Sequence, residues 1–235
     1  MKVLIIDNNI DRDSWGAQPL VRLVQESSRG TGIEINVRRA PQSDLPSSPR
    51  NFDRIIVSGS KTSCLEQGGW IDLLDRFILR TLEEGVPYLG VCYGHQSLIR
   101  ALNGVSALRR TGVPEFGWTQ LEIVEKSSLF DGVPERFVSF SSHFEEAHEL
   151  PRAMRRLVRS VDCEIQACDF PGKPVFGIQF HPEKTIQEGE SLLDRRKALG
   201  TPSQLLGHGQ GSRLYQKEVG NQIFSNFLAG KYLLS

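Results

Sequence analysis

The 235 residues carry 28 Lys plus Arg against 28 Asp plus Glu, a formal net charge of +0, with 39% hydrophobic and 24% charged residues. A chain of this size and ordinary composition fits one large α/β domain, and the balanced charge argues against the broad basic footprint that nucleic acid or an anionic membrane attracts. No stretch approaches the roughly 20 apolar residues that span a bilayer, and the N-terminal apolar run is too short for a secretion signal. Four cysteines without such a signal fit a reducing cytoplasm, and neither the Cys nor the His spacings match a metal site.

In chain order, Lys2–Asp7 reads as a buried strand ended by an acid. Residues 15–25 space their apolar positions for a helix, and 33–37 return to strand alternation. A second buried strand covers 53–58. Ile71, Leu74, Phe77, Ile78 and Leu82 then form an apolar stripe with a period near 3.6, predicting a helix over 70–82. Gly85-Val86-Pro87 breaks it, a short strand follows at Tyr88–Val91, and 95–102 is helical up to Gly104. This alternation implies right-handed crossovers and a mostly parallel central sheet flanked by helices. Residues 120–124, 136–141, 157–161 and 175–180 are strand-like and predict added antiparallel strands. The glycines at 200, 207, 209 and 211 make 189–212 resist regular structure and argue for mobility. An amphipathic helix over about 214–228 closes the chain.

The chemistry begins at Gly90-Val91-Cys92-Tyr93-Gly94-His95-Gln96. A cysteine flanked by glycines two positions away, between a buried strand and a helix, forms a nucleophile elbow. The turn lifts the sulfur above the sheet and sets it at a helix N-terminus, where backbone N–H groups favour thiolate. A thiolate needs a base that later acts as acid, and a group to orient that base. Gly177-Ile178-Gln179-Phe180-His181-Pro182-Glu183 supplies both: His181 follows a strand, and Glu183 lies two residues on. Cys64 is expected as a small packed residue and His95 as packing. His148 and His208 have no evident partner in the sequence.

The elbow and the Gln-Phe-His-Pro-Glu segment together closely resemble the class I (triad) glutamine amidotransferases, whose fold is flavodoxin-like. Further segments, Pro114-Glu115-Phe116-Gly117-Trp118 and Phe140-Ser141-Ser142-His143-Phe144-Glu145, look like the stand-alone relatives of the GMP synthetase amidotransferase domain. The resemblance implies hydrolysis of the glutamine side-chain amide through a Cys92 thioester, with His181 and Glu183 completing the triad and no cofactor or metal. It implies an oxyanion hole from backbone N–H of Gly59 and Tyr93, although Ser60-Lys61 departs from the usual residues there. Gln96 and the backbone around Ser142 and His143 would hold the substrate glutamine. A synthetase acting in trans would accept the ammonia, since the sequence shows no second nucleotide-binding motif and ends at Ser235. The same chemistry would serve a γ-glutamyl hydrolase or peptidase, and a non-catalytic regulatory domain of this fold is a further alternative. The chain is expected to be one amidotransferase domain, 1–235. Residues 184–212 form an insertion beside the site, either a lid and docking surface or a solvated elaboration.

Overall fold

The computed structural model describes residues 1–11, 16–28, 32–200 and 205–230. Its first half runs β1 (Lys2–Asp7), α1 (Gln18–Ser27), β2 (Glu34–Arg39), β3 (Arg54–Val57), α2 (Trp70–Glu83), β4 (Tyr88–Val91) and α3 (Tyr93–Asn103). The second half runs β5 (Leu108–Ile123), β6 (Arg136–Ala147), β7 (Arg155–Arg159), β8 (Ala167–Asp169), β9 (Val175–Ile178), α4 (Ile186–Ala198), β10 (Leu205–Leu206), α5 (Gly211–Leu214) and α6 (Lys217–Ala229). Residue 15, expected as the start of the first helix, and residues 201–204 of the expected loop lie outside the described residues.

Among the described residues the ten strands belong to one sheet, in the order β10-β5-β7-β8-β9-β4-β3-β1-β2, with β6 paired to β5. The stretch β9-β4-β3-β1-β2 is parallel, and β8, β7 and the β5–β6 hairpin extend it antiparallel. Alternation along β1 sends its side chains to two separate cores. Val3 and Ile5 join Leu20, Leu23 and Val24 of α1 and Phe224 and Phe227 of α6. Leu4 and Ile6 join Leu74, Phe77 and Ile78 of α2 and Leu98 of α3. Each fully buried Leu, Ile or Phe contributes about 1.5–3 kcal/mol of transfer free energy, so the parallel half is a rigid base for whatever stands at its carboxyl ends.

The structure departs from expectation in three places. The strand expected at 120–124 is the end of a 16-residue strand beginning at Leu108, with a register irregularity between Arg110 and Glu115. Gly112, Pro114 and Gly117 hid it by reading as turn residues. The three-residue β8 was not expected at all, being too short for any periodicity to show. The largest correction concerns 189–212: most of its first part is α4, a 13-residue helix. Its missed signal is the Thr185-x-x-Glu188 capping box, with both reciprocal hydrogen bonds present. The helix expected over 214–228 is α6, preceded by the short α5.

Candidate active site

Cys92 stands between β4 and α3 with φ +50° and ψ −102°, outside the regions that a residue with a Cβ ordinarily occupies. Neighbouring backbone holds it there. Its N–H donates to the Ile178 carbonyl at 2.8 Å, and its carbonyl accepts from Gln96 N–H at 3.0 Å. The two elbow glycines answer to close approach. A Cβ on Gly90 would lie 2.4 Å from the Gly94 carbonyl, and one on Gly94 would lie 2.2 Å from the Val57 carbonyl oxygen. The chain can make this turn only where side chains are missing.

His181 enters from the opposite side, its N–H donating 2.7 Å to the Phe140 carbonyl as the chain leaves β9. Its Nδ1 lies 2.7 Å from Glu183 Oε1, and the Cys92 sulfur is close enough to act on the ring's charge. Burial by itself pulls the imidazole toward neutrality. The Glu183 carboxylate and the Cys92 sulfur outweigh that and push the ring up to about 10. Burial likewise pushes the Glu183 carboxyl up, and His181 more than offsets it, holding Glu183 below its ordinary value. The pair is therefore an imidazolium against a carboxylate, oriented as a thiol's base requires.

Gly59 closes the third side. A Cβ there would lie 3.0 Å from His181 Cε1 and 3.5 Å from Cys92 Cβ, so its bare Cα leaves the room in which base and nucleophile meet. The loop is pinned by Asn8, whose N–H donates to Ser58 Oγ (3.0 Å) and whose Nδ2 donates to the Ser58 carbonyl (2.8 Å). Ser60 Oγ returns a bond of 2.8 Å to the Asn8 carbonyl. Tyr93 is the first residue of α3, where N–H groups have no acceptor within the helix.

A cleft of about 480 Å³ opens over Cys92, lined also by Gln96, Ser142, His143 and Glu145. Gln96 Nε2 donates to the Glu145 carbonyl (2.7 Å) and to Gln179 Oε1 (3.0 Å), and Gln179 Nε2 reaches Cys92 Sγ at 3.5 Å. His143 contributes mainly backbone to the cleft, because its ring turns away to meet Glu115 Oε2 at 2.8 Å. Gln166 Nε2 donates to the same carboxylate oxygen. Sequence reasoning gave no role to Gln179, Glu115 or Gln166; Gln179 and Glu115 sat within segments already singled out, whereas nothing local flags Gln166.

The helical part of the expected 184–212 insertion reaches this site. Leu192, Arg195, Arg196 and Leu199 of α4 and the turn after it line the cleft mouth. The Arg196 guanidinium lies between two rings, 4.6 Å from the Phe116 centroid and 4.3 Å from Phe144. The helix is fastened down. Glu190 accepts from Trp118 Nε1 (2.9 Å) and from the Gly209 and Gly211 N–H groups (2.8 Å each). Arg22 bridges Glu188 to the Glu183 carbonyl, both at 2.8 Å.

The remaining titratable candidates stand apart. His95 is fully buried, with its Nδ1 3.6 Å from Cys168 Sγ; burial lowers it to about 3, so it packs as a neutral ring. The Cys64 thiol is pushed up by burial and by the nearby Glu145 carboxylate. His148 meets the Ser106 carbonyl at 2.9 Å and His208 meets Asp194 at 2.8 Å, so both have partners the sequence did not disclose. Among the described residues no group of three His, Cys, Asp or Glu side chains gathers to hold a metal, and no helix is long and apolar enough to cross a membrane.

The family model of class-I glutamine amidotransferases matches residues 18–198. The chain belongs to that family. Its curated relatives include the glutamine-hydrolyzing subunit of GMP synthase from Pyrococcus abyssi, 32% identical over 195 residues, 81% of this chain and 94% of that one. A glutamine-hydrolyzing GMP synthase of Aeropyrum pernix is 33% identical over 174 residues, 72% of this chain, and this amidotransferase spans only 32% of that protein's length. Among solved structures, a glutamine amidotransferase of Thermotoga maritima superposes with a TM-score of 0.78 at 20% identity, covering 100% of this chain and 98% of the other. That likeness speaks to the fold.

Proposed function

We propose that this amidotransferase hydrolyses the side-chain amide of glutamine to glutamate and ammonia, through a thioester on Cys92. The observation that carries the reading is the Cys92 sulfur held in a strained elbow against His181, with Glu183 2.7 Å behind the ring. The thiolate attacks the amide carbonyl carbon, and the oxyanion accepts from backbone N–H of Gly59 and Tyr93. His181 gives its proton to the departing ammonia, then takes one from the water that cleaves the thioester. Glutamate leaves, and Cys92 and His181 return to their starting state. At the other end of the substrate, both Nε2 hydrogens of Gln96 are engaged within the protein. Its Oε1 is thus the atom offered to the ligand, and an acceptor there selects the α-ammonium of glutamine. The backbone of Ser142 and His143 forms the facing wall.

The ammonia goes to a separate synthetase subunit in the cytoplasm. Similarity over 94% of a glutamine-hydrolyzing GMP synthase subunit supports a partner in trans, and buried, unpaired cysteines fit a reducing compartment. A γ-glutamyl compound larger than glutamine is the second reading. Exposed Lys61 and Arg195 flank a mouth whose carboxylate, Glu145, is engaged by the Ser63 hydroxyl and the Cys64 N–H. Such a mouth suits a leaving group that carries its own carboxylate. The test is glutamate release from glutamine and from γ-glutamyl dipeptides, with Cys92→Ala as control. Release from neither, with or without an added synthetase subunit, overturns both readings; faster turnover of the dipeptides favours the second.

A further inference from the structure

An amide side chain shows its orientation through its partners, and at this site a backbone carbonyl fixes three groups in sequence. The Glu145 carbonyl can only accept, so the Gln96 atom 2.7 Å away must be the amide nitrogen. The second hydrogen of that nitrogen meets Gln179 at 3.0 Å, which makes the Gln179 atom its oxygen. The nitrogen of Gln179 therefore faces the nucleophile, 3.5 Å from Cys92 Sγ. Gln179 is fully buried, and its own N–H donates to the Gln166 carbonyl at 2.8 Å, so it has little freedom to turn away. A neutral thiol has another outlet, since it can donate toward the Ser142 carbonyl at 3.9 Å. A thiolate can only accept, and the donors facing it are His181 and Gln179.

We infer that Gln179 is a further residue of the reaction: its amide N–H holds the Cys92 sulfur as an aimed thiolate, while its carbonyl locks Gln96 for the substrate. The half concerning Gln96 rests on the glutaminase reading; the half concerning sulfur does not. One buried amide thus ties the reacting atom to the substrate-binding residue, and losing it harms both. A hydrogen bond to a charged group is strong enough that its removal costs about 10- to 100-fold.

The test compares wild type, Gln179→Met and Gln179→Glu by two readouts. The first, without glutamine, is the rate of Cys92 alkylation by iodoacetamide across pH, located by peptide mass spectrometry. The second is kcat and KM for glutamine. Gln179→Met is expected to alkylate Cys92 about 10-fold more slowly or worse at neutral pH, to lose kcat by a similar factor and to raise KM. Gln179→Glu keeps the size and the acceptor for Gln96 but sets a carboxylate against the sulfur. Its alkylation should be slower still at neutral pH and should recover relative to wild type as the pH falls and that carboxylate takes a proton. A purely structural role would not produce that pH dependence, and if Gln179→Met fails to fold, Gln179→Glu carries the test alone. Alkylation by both folded variants at wild-type rates at every pH overturns the inference. Slow alkylation of the variants, when the wild type releases no glutamate from glutamine with or without an added synthetase subunit, leaves the sulfur half standing and refutes the glutaminase reading.

Discussion

At Cys92 the backbone sits at φ +50° and ψ −102°, and every side chain with a Cβ is strained there. Alanine removes the sulfur but keeps the Cβ, so it keeps the strain, contrary to a simple expectation that any small residue relaxes the elbow. Cys92→Ala is expected to abolish glutamine hydrolysis with an unchanged circular dichroism spectrum. Cys92→Gly, equally dead, should be more stable than Cys92→Ala by about 1 kcal/mol, the released strain less the entropy glycine costs; equal urea midpoints would refute this. Glu183→Gln keeps the size of the side chain and removes its charge. In a serine triad the comparable change costs roughly 10⁴ in turnover, and a thiol, more acidic than a hydroxyl, should lose less. The pair also has a pH signature. His181 is raised in the folded protein to about 10 from an ordinary 6.5. Its contribution to stability is therefore complete below 6.5 and lost as pH climbs toward 10. Glu183, lowered from an ordinary 4.5, adds stability above that value and loses it in acid. The melting-temperature gap between wild type and Glu183→Gln should be widest near pH 5–6.5 and close toward pH 10. A constant gap across that range would mean the pair is not ionised as described.

Among the elements, α4 shows how a helix can hide from composition and still be firmly seated. Leu193 is fully buried in a cluster with Phe116, Trp118 and Phe140, and Gly189 lets the helix approach so closely that a Cβ there would lie 2.6 Å from the Trp118 ring. Leu193→Ala is expected to cost about 2–5 kcal/mol if the cavity stays open, less if α4 shifts to fill it. Limited proteolysis near 198–206 and KM for glutamine should both rise, because the same helix carries the cleft mouth. An unchanged KM with increased proteolysis would show that α4 plays no part in substrate binding. The elbow is less forgiving. Gly94→Ala drives a Cβ against the Val57 carbonyl oxygen at 2.2 Å, a backbone atom within a buried strand rather than the end of a flexible side chain. That variant should fail to accumulate as soluble protein; normal yield and normal melting would contradict the close contact.

Across the whole molecule, legibility followed sequence distance. The parallel half was readable because its strands are apolar runs or, in β2, a simple alternation, and its helices carry apolar residues at helical spacing, properties contained within a dozen residues. Of the β5–β6 hairpin only 120–124 and 136–141 read as strand; the earlier part of β5 did not, since Gly117 has φ +130° to let the Leu206 carbonyl approach, a requirement set by a strand 89 residues later. The site divides the same way. Cys92, His181 and Glu183 announced themselves through local motifs, whereas the contact of Gln179 with Cys92 spans 87 positions and that of His143 with Glu115 spans 28. Hydrogen exchange should show this division physically. The amides of β1, β3 and β4, walled by helices on both faces, should exchange most slowly, and those of α4 and β10 much faster. Equal protection in α4 and β4 would mean that the cleft mouth opens only with global unfolding.

Burial of the cysteines has a chemical consequence beyond catalysis. Cys64, Cys163 and Cys168 are at most 1% exposed, and burial pushes each of their thiols up, so their sulfurs resist oxidation. Cys92 alone lines the open cleft, its sulfur facing the ring of His181. Dilute hydrogen peroxide should therefore inactivate this enzyme in a single event, converting Cys92 to a sulfenic acid that dimedone traps and thiols reverse. Of the four cysteines, a native-state thiol titration should count one and a denatured sample all of them. Under oxidative stress the cell would lose nitrogen donation from this protein while its fold survived, and reductant alone would restore it.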